Sequence, residues 1–335
     1  MANERWVEFI DQQPLSDTAA ESRPLLTPLL SQTVIGLEGP DSISYLQGQL
    51  TADLGKLSPE QSLLAANCTP KGMVISVLRL IQLAPQSLLL RLSSAIEEPA
   101  LANLKKFSVF SKLSWNDAAN DWCGLGLSGD GAESLLQQRG FNLPQTLNGQ
   151  SLNDGIVLIK VGPQRFELWC PFDQAETLWQ QLADASQPAS ENCWQAAEIE
   201  AGLVQLDADS IDSYIPQMLN LQAIDAVSFD KGCYTGQEVV ARLQFRGKLK
   251  KLLFGARTDA IGVETDTALF NSQGRNVGKV LHCVTMENGS LLQAVISKKG
   301  ADEGDLRLGN VDGDAVQLLS LPYEIEPELF ERPER

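Results

Sequence analysis

Hydrophobic and polar residues near the start of the chain follow the spacing of short strands interrupted by one helix. The apolar run at 34–37 predicts a strand, and Gly39 and Pro40 after it predict a turn. Helical spacing of apolar residues at 42–50 then predicts a helix. Apolar runs separated by turn residues predict three more strands, at residues 62–67, 73–84 and 87–92.

The next helical pattern opens with Ser94 and Glu97, which stand in the order of a capping box. Leu101, Leu104 and Phe107 would line the apolar side of this helix. Further along, strands and helices alternate at residues 122–128, 130–139, 155–161, 165–170 and 172–184, with one more helix at 191–201. Strand–helix–strand–strand–helix is typical of a ferredoxin-like α+β unit.

After about residue 247 the pattern changes to short alternating segments without helices. Asn288 and Gly289 predict a tight hairpin turn, because these residues tolerate the positive φ angles that such turns need. The strands predicted here lie at residues 249–257, 267–271, 277–286, 290–297 and 315–319. We therefore predict an α+β fold in which ferredoxin-like units precede a small C-terminal antiparallel β-barrel.

The composition is that of a soluble globular protein, with 43% hydrophobic and 21% charged residues. No apolar stretch approaches the length of a transmembrane helix. Glu4, Arg5 and Glu8 stand where a signal peptide would need an apolar run, so we expect a cytoplasmic protein that binds no membrane. The net charge of −17 argues against nucleic-acid binding over the whole surface.

One segment departs from this acidic character. Residues 239–258 contain no acidic side chain, but they carry six basic ones: Arg242, Arg246, Lys248, Lys250, Lys251 and Arg257. The segment is either a solvated strand and loop or a contact for phosphates or a polyanionic cofactor tail. Because so acidic a chain gathers cations here, we favour the contact and assign it to Arg242, Arg246, Lys248 and Lys250.

The cysteine and histidine content limits the possible chemistry. None of the six cysteines forms a CxxC pair, and a reducing cytosol disfavours disulfides. We expect five of them to be small buried apolar residues. His282 is the only histidine, which excludes histidine-rich zinc sites, and we expect no tightly bound metal.

The sixth cysteine, Cys233, lies in the segment 231–238, which reads KGCYTGQE. Thr235 and Glu238 fit a capping box, so Thr235 is predicted to cap a helix that begins there. The dipole of that helix and the cation of Lys231 would both favour the thiolate, the reactive form of cysteine. The alternative is that Cys233 is a buried spacer.

Gly232 and Gly236 bracket the cysteine and would let the backbone turn sharply, which leaves the sulfur accessible. Cys233 and Lys231 are therefore the candidate catalytic residues. The remaining residues of the motif are expected to support them: Gly232, Tyr234, Thr235, Gly236, Gln237 and Glu238.

KGCYTGQE resembles the signature of the YgfZ family, folate-binding proteins tied to tRNA modification and iron–sulfur cluster maintenance. Three other segments resemble family elements in the same order. They are GPD with YLQGQLTAD at 39–53, EIEAG at 198–202, which is shared with the glycine-cleavage T-protein superfamily, and IPQ with NL at 215–221. The matches extend over about residues 34–250, and the C-terminal tail matches only in style.

The resemblance implies ferredoxin-like α+β domains around a central channel, a C-terminal barrel, and tetrahydrofolate or a derivative, including polyglutamylated forms, in the channel. It places Trp194 against the aminobenzoyl ring and Glu200 on the N–H donors of the pterin. The family's second folate tryptophan aligns near Gln32, which is a departure from the pattern. Glu198 is a further candidate, since in a regular helix it shares a face with Trp194 whereas Glu200 does not.

Each of these residues also has a purely structural interpretation. Trp194 would serve equally well as a core aromatic, and Glu200 as a solvent-facing residue near a helix end. Gly48, Gln49 and Asp53 would simply hold the turn after the first helix.

The resemblance also divides the chain into domains. We predict an N-terminal α+β folate-binding domain at 1–120, completed by part of 203–246. A ferredoxin-like α+β domain at 121–202, a cysteine-motif segment at 203–246 and the barrel at 247–335 would follow.

The expected function is that of a folate-binding protein which supports tRNA thiolation and maintains iron–sulfur enzymes, with Cys233 as the functional thiolate beside a tetrahydrofolate channel. Cys233 would carry a sulfur or one-carbon group, or ligate a cluster transiently together with a partner, because one thiolate cannot hold a cluster alone. Two alternatives stay open, a folate-dependent aminomethyl- or methyltransferase and a non-catalytic folate-sensing scaffold. Expected partners are folate, iron–sulfur or tRNA-modifying enzymes and tRNA itself, and we expect a monomer.

Overall fold

The computed structural model describes residues 3–18 and 23–330. The chain forms two compact units, each assembled from several segments of sequence. Unit 1 comprises Met1–Gln47, Asp53–Leu64 and Leu78–Trp194, and unit 2 comprises Gly48–Ala52, Ala65–Val77 and Gln195–Arg335. Two short segments of the N-terminal region therefore belong with the second half of the chain. The domain boundaries drawn from the sequence stay predictions.

The secondary structure combines short helices with many strands. The helices are α1 (Glu4–Asp11), α2 (Ser42–Gln47), α3 (Glu97–Lys105), α4 (Ala132–Gln138), α5 (Phe172–Ala183), α6 (Glu191–Glu200), α7 (Gln237–Arg246) and α8 (Lys298–Glu303). The first eleven strands are β1 (Leu25–Pro28), β2 (Gln32–Glu38), β3 (Leu63–Cys68), β4 (Val74–Ala84), β5 (Ser87–Ser93), β6 (Ser114–Asn116), β7 (Trp122–Ser128), β8 (Gln150–Asn153), β9 (Ile156–Gly162), β10 (Arg165–Pro171) and β11 (Gln187–Pro188). The other six are β12 (Lys251–Thr258), β13 (Ala268–Asn271), β14 (Asn276–Met286), β15 (Gly289–Ser297), β16 (Leu306–Leu308) and β17 (Ala315–Leu318).

Unit 1 contains a six-stranded sheet with the strand order β11-β1-β7-β10-β9-β8. Its neighbouring strands pair antiparallel, except that β1 and β11 pair parallel. The predicted strand–helix–strand–strand–helix order is found as β7, α4, β9, β10 and α5. Strands β1, β8 and β11 were not predicted, because segments of two to four residues carry too little periodicity.

Alternation along β10 divides the two faces of this sheet. Phe166, Leu168 and Cys170 belong to a buried core which also contains apolar side chains of α1, α4 and α5. Successive strand residues point to opposite faces, so Glu167 and Trp169 lie on the other face. One face of the sheet is therefore largely apolar, apart from Lys160 beside Phe166, whereas the other face carries the buried charge of Glu167.

Two glycines of β7 make room for two tryptophan rings on that second face. A Cβ atom added at Gly124 would lie 2.7 Å from the ring of Trp169, and one added at Gly126 would overlap the ring of Trp194. Both rings are buried in an apolar cluster that also includes Val157 of β9. Glycine at these two positions is therefore a packing requirement, since any larger residue would displace a ring.

A second sheet has the strand order β3-β4-β5-β2-β6, and β3 and β4 contribute residues to both units. Its predicted strands are found, but both nearby helix predictions need correction. Helix α2 ends at Gln47 instead of residue 50. The capping box is wrong, because α3 begins only at Glu97 and the Ser94 hydroxyl donates to the Ser31 carbonyl at 3.0 Å.

Helix α3 also ends earlier than predicted, at Lys105. Phe107 therefore lies beyond the helix and is 52% exposed, so its predicted place on the apolar side of α3 is wrong.

Unit 2 contains a closed barrel with the strand order β12-β15-β14-β13-β16-β17. Strands β14 and β15 form the predicted hairpin, and Gly289 at its turn has a φ of 121°. Buried apolar side chains fill the barrel, among them Ala256, Leu269, Val280, Leu292, Ala294 and Ile296. The predicted α+β fold with a C-terminal antiparallel barrel is confirmed. Among the described residues, no helix combines the length and apolar character needed to span a bilayer.

Candidate functional site

Cys233 differs from the other cysteines in its exposure. All six lie in the described part of the chain, and Cys233 is the exposed one, while Cys283 is half-buried and the other four are buried. The expectation that the remaining five cysteines pack as apolar residues holds for Cys68, Cys123, Cys170 and Cys193.

Burial also makes the other five thiols poor nucleophiles. It raises the pKa of Cys68 and of Cys123 to about 12. It likewise raises the pKa of Cys170, Cys193 and Cys283 above the ordinary thiol value. Because the thiolate is the reactive form, these five groups are unsuited to chemistry at neutral pH.

The segment around Cys233 is fixed to a loop from the start of the chain. The Lys231 ammonium donates to the carbonyl oxygens of Leu50 at 2.7 Å and of Ala52 at 2.6 Å. The Lys231 Nζ atom also lies 5.2 Å from the centroid of the Tyr234 ring, which is buried. Lys231 therefore connects two segments that are about 180 residues apart in sequence.

Further hydrogen bonds extend this attachment along the loop 48–52. The backbone N–H of Thr235 donates to the Gly48 carbonyl at 3.1 Å, and its hydroxyl donates to Gln49 Oε1 at 3.4 Å. The hydroxyl of Thr51 donates to the Ala226 carbonyl at 2.6 Å. Two segments that resemble family motifs, 45–53 and 231–238, thus meet within unit 2. The structural role considered for Gly48 and Gln49 agrees with these bonds.

Gly236 packs against a third segment, the turn before β4. Its φ is 87°, and an added Cβ would lie 2.5 Å from the Thr69 carbonyl oxygen and 3.0 Å from the Cα of Gly72. Gly72 faces it with a φ of 74°. Glycine is required at position 236 for both backbone conformation and close approach.

The helix after the motif is found, but its predicted cap is wrong. Helix α7 begins at Gln237 with Gly236 at the N-cap position, and no side chain caps it there. The predicted pair was Thr235 and Glu238. The observed hydrogen bond joins the residues one position earlier, since Gln237 Oε1 accepts the Tyr234 N–H at 3.2 Å. Thr235 is used instead to hold the loop 48–52.

Gly232 does not have the predicted role in the turn. Its φ is not positive, and an added Cβ would meet no atom within 4 Å. Gly232, Cys233 and Glu238 are all exposed. The thiol therefore lies on an open stretch of backbone between two fixed residues, Lys231 and Tyr234.

The basic residues assigned to polyanion contact are all exposed and lie on or just after α7. Arg242 and Arg246 are four residues apart on the helix, and Lys248 and Lys250 follow it. Phe245 is 61% exposed beside them and was missed in the sequence reasoning, although a helical plot would have placed it next to Arg242. The exposed surface after the motif combines four cations with one aromatic ring.

Trp194 lies in unit 1, where it is 1% exposed. The guanidinium carbon of Arg165 lies 4.7 Å from the centroid of its ring, a cation–π distance. The ring packs in the apolar cluster that also contains Trp169, and its role toward a folate stays a prediction. Arg165 was missed in the sequence reasoning.

Gln32 belongs to a buried polar network in the same unit. Arg91 donates to Gln32 Oε1 at 3.4 Å and forms an ion pair with Glu167, to which it donates through Nε at 3.2 Å. The Nε atom of Arg79 lies 4.0 Å from Glu167 Oε1, and Trp169 Nε1 donates to Glu167 Oε2 at 3.0 Å. The sequence offered one signal for this network, namely charged residues at inward positions of apolar strands.

The network controls the ionisation of Glu167. Burial alone would raise the pKa of this carboxyl, but its ion pairs with Arg91 and Arg79 and the hydrogen bond from Trp169 outweigh burial. The pKa of Glu167 is therefore held below its ordinary value, and the group is charged at neutral pH.

The two candidate carboxylates on α6 differ in burial. Glu198 is 4% exposed and accepts a hydrogen bond from the Gln205 side chain, whereas Glu200 is exposed at the last position of the helix. Both belong to unit 2. No group of three or more metal-ligating side chains occurs among residues 3–18 and 23–330.

Curated proteins resemble this chain over nearly its whole length. The tRNA-modifying protein YgfZ of Yersinia enterocolitica is 34% identical over 321 residues, which cover 93% of this chain and 96% of that protein. The tRNA-modifying protein YgfZ of Pectobacterium carotovorum is 33% identical over 324 residues, which cover 95% and 96%. No protein-family model matches the chain.

Among solved structures, the aminomethyltransferase T of the glycine cleavage system from Bartonella henselae has a similar fold. The TM-score is 0.72 at 17% identity, with 90% of this chain and 86% of that chain covered. The fold is thus that of the glycine-cleavage T protein. Identity of 33–34% to the curated relatives over almost the full length establishes that the chain belongs to the YgfZ family of tRNA-modifying proteins.

Proposed function

We propose that the protein binds a reduced folate and supports tRNA thiolation and the maintenance of iron–sulfur enzymes, with the thiolate of Cys233 as its reactive group. The observation that carries this proposal is the exposure of Cys233 on a segment whose neighbours are fixed by hydrogen bonds. The similarity to tRNA-modifying proteins of Yersinia enterocolitica and Pectobacterium carotovorum supports the tRNA part of the proposal.

In this proposal Cys233 acts as a nucleophile or a transient metal ligand, since both roles belong to the thiolate. Lys231 is a positioning residue, because its ammonium holds the segment to the carbonyls of Leu50 and Ala52. One thiolate cannot hold a cluster alone, so a cluster role needs a partner protein or small thiols.

The residues of unit 1 fit a planar anionic ligand such as a folate. Gln32, whose Oε1 accepts from Arg91, offers its amide for the pterin edge, and the guanidinium group of Arg165 suits a carboxylate. A ring can stack on Trp194 only when the Arg165 side chain leaves the indole face, since that face is covered. When bound, the folate would supply one-carbon chemistry. Glu200, which the family resemblance implies, and Glu198 both stay candidates for accepting pterin N–H groups.

The exposed cations on and after α7 suit the polyglutamate tail of a folate or the phosphates of tRNA. Arg242, Arg246, Lys248 and Lys250 are all exposed, and no acidic residue stands between positions 239 and 258. Phosphate contacts of this kind depend strongly on ionic strength, which gives the assignment a measurable signature.

The decisive experiment is mass spectrometry of tRNA nucleosides from a deletion strain that carries wild-type protein or a Cys233→Ala variant. We expect the wild type to restore thiolated nucleosides and Cys233→Ala to fail, because the exposed thiol is removed while nothing buried changes. A Cys283→Ala variant is the control, since it removes a half-buried thiol of the barrel. Full restoration by Cys233→Ala would remove the cysteine from the proposed function.

Purified protein separates this proposal from the two alternatives. Conversion of the one-carbon unit of a bound folate would indicate a transferase. Tight folate binding without turnover, combined with normal thiolated nucleosides in the Cys233→Ala strain, would indicate a folate-sensing scaffold.

A further inference from the structure

An exposed loop of unit 1 combines aromatic rings with lysines. Between α3 and β6, Phe107 is 52% exposed, Val109 80% and Phe110 98%. Lys105, Lys106 and Lys112 flank them and are exposed as well. We propose that this segment, residues 105–112, is an RNA-contacting surface that stacks unpaired bases on its phenylalanines and binds their phosphates with its lysines. We refer to it as the aromatic loop.

The turn that carries the aromatic rings is held from below by buried groups. Buried Ser108 donates to the Lys105 carbonyl at 2.9 Å and accepts a hydrogen bond from Trp115 Nε1 at 3.1 Å. The rings of Trp115 and Tyr45 make an edge contact, with centroids 6.5 Å apart. The backbone that exposes the phenylalanines is therefore already ordered, and binding would cost little backbone entropy.

The local charge is opposite to that of the molecule. The chain has a net charge of −17, yet no acidic residue stands between Glu98 and Asp117. Two carboxylates lie beside Lys112 at the base of the loop: Asp41 accepts the Lys112 N–H at 2.7 Å, and Glu38 lines the same cavity as Lys112. At the outer part of the loop Lys105 and Lys106 stand beside the phenylalanines, and a basic site on an acidic protein attracts a polyanion to that place and repels it elsewhere.

The rings are available to bases in different degrees. The Lys106 Nζ atom lies 5.3 Å from the centroid of Phe107, so one face of that ring is shared with a cation. Phe110, at 98% exposure, has both faces open. Stacking of unpaired bases on aromatic side chains next to cations is the usual way in which proteins bind single-stranded RNA.

A protein partner suits this loop less well. A stable protein interface removes about 800 Å² from each partner. The apolar part of the loop consists of three side chains on a short turn surrounded by lysines, and lysine is depleted in the cores of protein interfaces.

This inference rests on the proposed function, since it supplies a contact for the RNA on which that function acts. It is nevertheless separable from folate binding and from Cys233. Folate binding is measured by the quenching of tryptophan fluorescence by tetrahydrofolate. The role of Cys233 is measured by the thiolated tRNA nucleosides of the complemented deletion strain.

The test is fluorescence anisotropy of the full-length protein with three labelled RNAs: an unmodified tRNA transcript, a short single-stranded oligonucleotide and a duplex of the same composition. We expect tRNA and the single strand to bind more tightly than the duplex. A Phe107→Leu and Phe110→Leu double variant keeps the apolar bulk but loses both aromatic faces. It should weaken single-strand binding by at least about tenfold, as expected for two lost stacking contacts.

Two further variants complete the design. Replacing Lys105, Lys106 and Lys112 by Gln should reduce the slope of log K against log salt by about two, since each phosphate contact of a single strand contributes about 0.7. A Leu147→Ala and Leu152→Ala variant removes two exposed apolar side chains elsewhere in unit 1 and should bind RNA as the wild type does.

The inference would be overturned if the Phe107→Leu and Phe110→Leu double variant bound RNA with wild-type affinity. It would also be overturned if the wild-type protein bound no RNA. A Phe107→Ala and Phe110→Ala variant that still bound RNA but no longer bound a protein partner would also overturn the inference. That result would make the loop a protein contact. Normal folate quenching and nucleoside restoration in the same variants would show that the proposed function stands even where this inference fails.

Discussion

Burial separates Cys233 from the other five cysteines of the chain. Their pKa values are raised by desolvation, whereas the Cys233 side chain is exposed between two anchored residues. The anchors are Lys231, bound to two carbonyls, and Tyr234, whose ring is buried. The contacts of Lys231 and Tyr234 therefore hold the backbone on both sides of Cys233 and leave its thiol exposed.

The two glycines of the motif should respond differently to substitution. Gly236→Ala places a side chain at a φ of 87° and against the Thr69 carbonyl, so we expect a loss of about 2 kcal/mol in the free energy of unfolding. Gly232→Ala meets open space and should change stability by less than about 0.5 kcal/mol. Urea denaturation measures both, and equal losses would contradict the packing described for Gly236.

Trp194 can be tested for folate binding without emptying the core. Because the ring is buried, Trp194→Ala would cost about 3–5 kcal/mol and confuse the result. Trp194→Phe keeps an aromatic ring and removes the indole, so tetrahydrofolate should quench the fluorescence of this variant much less than that of the wild type. Trp115→Phe is the control in the same unit. Equal quenching of Trp194→Phe and wild type would take Trp194 out of the site.

Glu167 should make the protein sensitive to acid. Its pKa is lowered in the folded state, so it stabilises the fold above its unfolded pKa of about 4.3, and this contribution is lost as the pH falls through the folded pKa. Glu167→Gln leaves buried Arg79 and half-buried Arg91 without their carboxylate and should cost about 3–5 kcal/mol at neutral pH. The variant should also lose part of the pH dependence below about pH 4 in denaturant titrations. An unchanged slope would contradict the ion-pair assignment.

Helix α7 shows how an element can be predicted while its cap is not. The apolar spacing of Val239, Val240 and Leu243 was sufficient for the helix. The cap depends on which partners Thr235 and Gln237 find, and Thr235 turns to Gln49, far away in sequence. Local patterns cannot show such competition, because the competing acceptor belongs to another part of the chain.

The exposed cations on and after α7 can be tested for polyanion binding as a group. Reversing the charge at Arg246, Lys248 and Lys250 should weaken binding of polyglutamylated folate or tRNA by about tenfold or more at low salt, and less at high salt. The matched control reverses Arg275, Lys299 and Arg307, three cations of the barrel region in the same unit. If both triple variants bind equally well, the segment is only a solvated strand and loop.

At the scale of the whole molecule, the two units divide the candidate residues between them. Gln32, Arg91, Arg165 and Trp194 belong to unit 1, whereas the cysteine motif and the barrel belong to unit 2. Unit 2 also takes in the segments Gly48–Ala52 and Ala65–Val77 from the N-terminal region. A ligand that binds in unit 1 is therefore expected to stabilise unit 1 against local unfolding more than it stabilises the barrel of unit 2.

Hydrogen exchange can detect this difference in stabilisation. A reduced folate at one hundred times its dissociation constant stabilises a binding region by about 2.7 kcal/mol. We expect slower amide exchange in β2, β5 and β10 with folate, and unchanged exchange in the barrel strands β12–β15. Free glutamate at the same concentration is the control ligand. Protection confined to the barrel would contradict a folate site in unit 1.

Most of the helices and strands, and the fold class, follow from local sequence patterns. Strands β7, β9 and β10 and helices α4 and α5 were predicted because their spacing is regular and local. The sequence also marked Cys233, since the motif KGCYTGQE is contiguous. What it could not give were contacts between distant segments, such as those of Lys231 with Leu50 and Ala52, or of Arg165 with Trp194.

The exposure of individual side chains, in contrast, depends on how the folded chain packs. Phe107 was predicted to pack beneath α3 but is exposed, and Gly232 was predicted to form a turn but lies in open space. Burial depends on which surfaces the folded chain brings together, and that information is spread over residues far apart in sequence. The local pattern therefore identified the cysteine motif, while the packing around residues 48–52 and 69–72 placed its thiol at the surface.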